Sequence, residues 1–116
     1  MSTGVSLRED SVSNVLAARE AIYGKFSGHA EISQSLILTM QKFARLRNKL
    51  LAPDQREALQ MIAHKIARIL NGDPNYADSW QDIAGYAQLV ANRLQGDNQC
   101  QQVSKRSSTP TLSKKG

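Results

Sequence analysis

A chain of 116 residues with 41% hydrophobic content can bury one core and make one domain. Its formal net charge of +5 suggests nucleic acid, but Lys105, Arg106, Lys114 and Lys115 against Asp97 alone put +3 of it in residues 97–116, leaving an ordinary +2 over 1–96. No run approaches the roughly 18 apolar residues of a membrane span, the polar start MSTGVSLRED lacks the apolar stretch of a secretion signal, and Cys100 alone forms neither an internal disulfide nor, with the distant His29 and His64, a zinc pattern.

The elements that follow are helical. SVSNVLAAREAIY, residues 11–23, sets Val12, Val15, Leu16, Arg19 and Ile22 at 3- and 4-residue spacing after polar starters, which predicts a short amphipathic helix. Gly24 and Gly28 break it, so YGKFSGHA reads as a loop holding Tyr23, Phe26 and His29. A second helix is expected over 30–50, with Ile32, Leu36, Met40, Phe43, Arg47 and Leu50 on one face. Its Lys42, Arg45, Arg47 and Lys49 form a basic run without an aromatic platform, best read as a solvated face.

Pro53 and a capping Asp54 open a third helix, 54–70, which Asn71-Gly72 stops. The fourth runs from about 78 to 95, before Gly96. The fold class is therefore all-α: a compact bundle of about four helices over 1–96, followed by a disordered basic tail over 97–116 that is rich in Gln, Ser, Thr and Lys. Such a protein belongs in the cytoplasm.

The third and fourth helices each carry two patterned faces. In the third, Ala58, Leu59, Ile62, Ile66, Ile69 and Leu70 make an apolar stripe, and Glu57, Met61, His64 and Arg68 make a second line. In the fourth, a core stripe begins at Trp80 and continues through Ile83, Ala84, Ala87, Val90, Ala91 and Leu94. Asp78, Asp82, Leu89 and Arg93 fall nearly opposite, with Tyr86 at their edge. Leu89 and Tyr86 on that face predict a covering element, which points to a homodimer or higher oligomer built on these helices.

Asp78 and Asp82, four apart, have two readings. Carboxylates in a first turn complement the helix dipole and cap free N–H groups; two on adjacent turns of one face can also hold a divalent cation. Asp78 fits either role, whereas Asp82 lies inside the helix beside Tyr86 and favours a site or a polar network.

The run EALQMIAHKIARILNGDPNYADSWQDIAGYA, with the earlier REAIYGKF, resembles an uncharacterised family of small phage and prophage proteins marked by K-I-A-R-[IL] and D-S-W-x-D-I-A-G-Y helices. The resemblance spans residues 19–94. That family is more distantly similar to the all-α nucleoside triphosphate pyrophosphohydrolases of the MazG and dUTPase type, helical bundles that cleave NTP or dNTP with Mg²⁺ held by acidic pairs on two helices. Carried onto this chain, the resemblance implies Glu57, Asp78 and Asp82 as Mg²⁺ ligands, with Glu57 and Asp82 catalytic, and Lys65, Arg68 and Tyr86 as nucleotide contacts. Gln60 and Met61 stand where the second acid of the first pair belongs.

Three function classes follow from these residues: a Mg²⁺-dependent nucleotide pyrophosphohydrolase, a catalytically silent nucleotide binder, and an interaction protein directed at a host factor. No P-loop, G-x-S-x-G or Cys/His pair supports another enzyme class. Nucleic acid is expected to meet only the tail, and weakly.

Overall fold

Apolar spacing of three and four residues, interrupted by short polar and glycine-containing links, builds four helices in the computed structural model: α1 Thr3–Tyr23, α2 Phe26–Leu46, α3 Pro53–Asn71 and α4 Ala77–Ser108. The structure describes the backbone of residues 3–108 and the side chains of 11–98, and among the described residues there is no strand. Among the described residues no helix is long and apolar enough to cross a membrane.

The central element is α3. It packs against α2 on one side and α4 on the other, while α1 reaches both α2 and α3. The centre is small: Ile37 from α2 and Ala58, Ala63, Ala67 and Ile69 from α3 are buried, with Ser33 and Ser79 beside them. Ala63 and Ala67, at 2% and 0% exposure, let the flanking backbones approach α3 closely. Neither alanine lies on the two lines read for the third helix, and Leu59 and Leu70, expected in its apolar stripe, are 40% and 67% exposed, because the close contacts of α3 run along its alanines.

The helix ends refine the expected boundaries. α2 starts at Phe26, so Phe26 to Ala30 are helical and not a loop. It stops at Leu46, because Asn48 adopts the left-handed conformation (φ 52) while its N–H donates to Arg45 O and that of Lys49 donates to Ala44 O; this is a Schellman closure with asparagine in the glycine position. α3 opens with Pro53 after Ala52, and Gln55 Oε1 accepts from the Ala52 N–H at 2.8 Å. Asp54 is thus a first-turn residue and not the cap. Its carboxylate receives Arg93 Nε and Nη2 at 2.9 and 2.6 Å, and Arg93 Nη1 donates to Asp97 at 3.0 Å, tying the start of α3 to α4.

Three other expectations shift. The inward face of α2 centres on Ser33 and Ile37, which leaves Phe43 and Leu50 exposed. Trp80 is 55% exposed, its Nε1 donating to Pro74 O at 2.9 Å, because α3 covers only the side of α4 that carries Ser79, Ile83, Tyr86 and Val90. α4 also passes through Gly96 to Ser108; one glycine costs about 1 kcal/mol in a helix, too little to stop it with no proline before Pro110. The last part of the expected tail, 109–116, lies outside the described residues.

Candidate functional site

The corner between α1 and α2 is fixed by the end of α3. Asn71 Nδ2 donates to Tyr23 O at 2.9 Å and to Lys25 O at 2.8 Å, and the Asp73 N–H donates to Ile22 O at 2.6 Å. Gly24 turns the chain with φ +80, where a Cβ would collide with the Asn71 carbonyl oxygen. Gly28 lies flush against the Asn71 side-chain amide, which leaves no room for a Cβ. Two glycines and one asparagine thus hold Tyr23 over α3.

Aromatic and cationic groups converge on that corner. The Arg68 guanidinium carbon sits 4.5 Å from the Tyr23 ring centroid, with that of Arg19 at 6.0 Å, both within cation–π range. Tyr76 meets Tyr23 edge-on at 5.9 Å. Phe26 stacks on His29 (5.9 Å, 23°) and His29 on His64 (5.5 Å, 16°), with a nitrogen of each imidazole 3.4 Å from the other. A recess of about 550 Å³ opens here, lined by Val15, Leu16, Arg19, Tyr23, His29 and Arg68 among others, with the 78%-exposed Phe26 at its margin.

Among the residues lining the recess, Arg19 and Arg68 outnumber one acid, Glu20. Burial, then the proximity of His64, Arg68 and Lys65, pushes the His29 imidazole below its ordinary 6.5. His29 is therefore held neutral beside cations, a setting that an incoming anion relaxes.

Lys65, on the neighbouring face of α3, is buried and places Nζ 3.0 Å from Asp82 Oδ2 of α4. Asp78 lies in the first turn of α4 and beside Tyr76, whose hydroxyl ionisation it pushes up. Glu57 is exposed on α3. Tyr86 is half-buried and borders a shallow depression of about 390 Å³ with Gln81, Asp82, Gly85 and Leu89.

The acids expected to share a metal therefore separate. Among the described residues no group of three or more His, Cys, Asp or Glu could hold a metal ion, so Glu57, Asp78 and Asp82 do not form a three-acid cluster. Asp82 pairs with the Lys65 ammonium, which fits the polar-network reading of its place inside the helix. The recess residues Arg19, Tyr23, Phe26 and His29, and His64 stacked behind His29, are not among the expected site residues. Their signal was the Tyr23, Phe26, His29 spacing together with the His64, Arg68 pair one turn apart on α3.

Residues 9–94 match the family described as domain of unknown function DUF6378. The chain belongs to that family. No curated protein and no solved structure matches it. The DUF6378 span contains the Asn71 clamp, the recess, the histidine pair and the Lys65–Asp82 bridge, and ends at Leu94, inside α4.

Proposed function

We propose that this chain binds a nucleotide in the recess at the α1–α2 corner, the base lying against the Phe26–His29 stack and the phosphates toward Arg19 and Arg68. The observation that carries the reading is Arg68 above Tyr23 beside the Phe26–His29–His64 column. A nucleotide needs an aromatic face for its base and forked cations for its phosphates, and the recess offers both in a volume of small-ligand size. Resemblance to the all-α nucleoside triphosphate pyrophosphohydrolases points to the same ligand class, in a phage or prophage protein.

Binding without turnover is the form we favour. Asp82 is engaged by Lys65 and the three-acid Mg²⁺ set is not assembled in the chain, so no step is assigned to a metal. The reading includes a homodimer: Val12, Val15 and Leu16 on α1 and Trp80 and Leu89 on α4 are all more than half exposed, more apolar surface than a chain of this size leaves uncovered alone.

The test is calorimetric titration with nucleoside mono- and triphosphates, with Mg²⁺ or with EDTA, run beside an assay for released pyrophosphate. Binding that survives EDTA with no pyrophosphate released supports the reading. Magnesium-dependent pyrophosphate release would replace it with the hydrolase.

A further inference from the structure

The end of the molecule away from the recess carries a second, unrelated concavity. Where α2 closes and α3 begins, a cavity of about 410 Å³ has an apolar floor that includes Ile37, Met40, Ala44, Leu51 and Leu59. Leu50, at its rim, is 96% exposed, and Leu46 and Phe43 on the adjoining turns are 61% and 46% exposed. Leu50 is not on a frayed end: the Schellman closure at Asn48 and the hydrogen bond from Arg56 Nη2 to Leu51 O, at 3.3 Å, define the backbone on either side of it. A large apolar side chain held in water on an ordered turn is costly to the free protein and useful to a bound one.

The rim is uniformly positive. Arg45, Lys49 and Arg56 line the cavity, and Lys42 and Arg47 neighbour these residues in sequence. Residues 42–53 contain no acid. The nearest one, Asp54, is taken by two hydrogen bonds from Arg93, and among the described residues none of these five cations enters an ion pair. The closing dipole of α2 accounts for a cation or two near its end; three cations lining one cavity, with no acid among its lining residues, exceed what that dipole asks for.

We propose that this groove is a docking site for an acidic amphipathic helix of a partner protein, its apolar side chains entering the cavity past Leu50 and its carboxylates meeting Arg45, Lys49 and Arg56. Charge selects the occupant. A second copy of this chain brings net positive charge to a positive rim, and a nucleic acid gains nothing from an aliphatic floor. The concavity fits inserted side chains, as in helix-in-groove recognition, better than it fits the plane of a bilayer. The site is independent of the nucleotide reading and shares no residue with the recess.

The probe is a fluorescent helical peptide of about 18 residues, roughly five turns, with leucine on one face and glutamate on the flanks. It is titrated into the full chain at low and moderate salt, next to a scrambled peptide of the same composition, a lysine-for-glutamate version, and vesicles of phosphatidylglycerol and phosphatidylcholine. Binding of the acidic amphipathic peptide alone, weakening with salt and falling by about tenfold or more in Leu50→Ser and in Arg45→Glu/Lys49→Glu, supports the site. Leu50→Ser alters a side chain already in solvent, so it keeps the test decisive if the double reversal unfolds. No peptide binding, equal binding of the scrambled or lysine peptide, indifference to Leu50→Ser, or a preference for the vesicles would each overturn the proposal.

Discussion

The Lys65 ammonium lies 3.0 Å from the Asp82 carboxylate, with the lysine side chain 11% and the aspartate side chain 48% exposed. The partner of Asp82 is therefore a cation from α3 and not a second acid. A nearly buried lysine that loses its counter-charge keeps its desolvation cost. Asp82→Asn is expected to lower stability by about 1–2 kcal/mol, less than a fully buried pair because Asp82 is half in water. Urea unfolding measures it. Lys65→Met combined with Asp82→Asn should recover most of the loss, since the double variant leaves no unpaired charge; additive losses would show that the two residues act separately.

Asn71 is the pin of the α1–α2 corner. Replacing it with alanine removes two donated hydrogen bonds, to Tyr23 O and Lys25 O, and should cost about 1–3 kcal/mol. Hydrogen exchange should quicken first around residues 22–26, with the α3–α4 contact protected. Gly24→Ala should act in the same place, because φ +80 is strained for any side chain. Uniform exchange changes throughout the chain would count against a local pin.

Much of this could be read from the residues. The 3- and 4-residue spacing located four helices, but the third packs through Ala63 and Ala67, which neither of its patterned lines held. What escaped were features decided by neighbours. Trp80 begins an apolar stripe, yet only one side of α4 has a helix to pack on, so the indole stays outside. Phe26 sits between two glycines and His29 directly after the second, so both read as loop, but Gly28 serves close packing on Asn71 inside α2. Asp54 looks like a cap and is instead the partner of Arg93, 39 positions away, a separation that helical periodicity does not encode. The recess was invisible for the same reason: its cations and rings come from three helices.

His29 gives a pH signature. Its imidazole is held below 6.5 by burial and by His64, Arg68 and Lys65, so the unfolded chain binds its proton more readily than the folded one. That contribution to stability is complete above pH 6.5 and is lost as pH falls from there through the lowered folded value. Melting temperature should decline across this window, and His29→Gln should flatten the decline. A bound anion favours protonated His29, so nucleotide binding should take up a proton, read as a dependence of binding heat on buffer ionisation enthalpy. A flat response in wild type would remove His29 from the site.

The homodimer proposed on the exposed faces of α1 and α4 predicts self-association. Light scattering at micromolar concentration should report more than one chain, and Trp80→Gln with Leu89→Gln should shift it toward the monomer, both side chains being more than half exposed in the single chain. A monomeric wild type would contradict it.

The most direct test of nucleotide binding is titration calorimetry on wild type, Phe26→Ala and Arg68→Gln with a nucleoside triphosphate in EDTA. Phe26 is 78% exposed, so its removal should leave folding intact. Base stacking on an aromatic ring contributes about 1–3 kcal/mol, so Phe26→Ala should bind about tenfold or more weakly at an unchanged melting temperature, and Arg68→Gln should weaken binding through its lost phosphate contact. No binding by wild type, or binding that Phe26→Ala and Arg68→Gln leave untouched, would contradict the account.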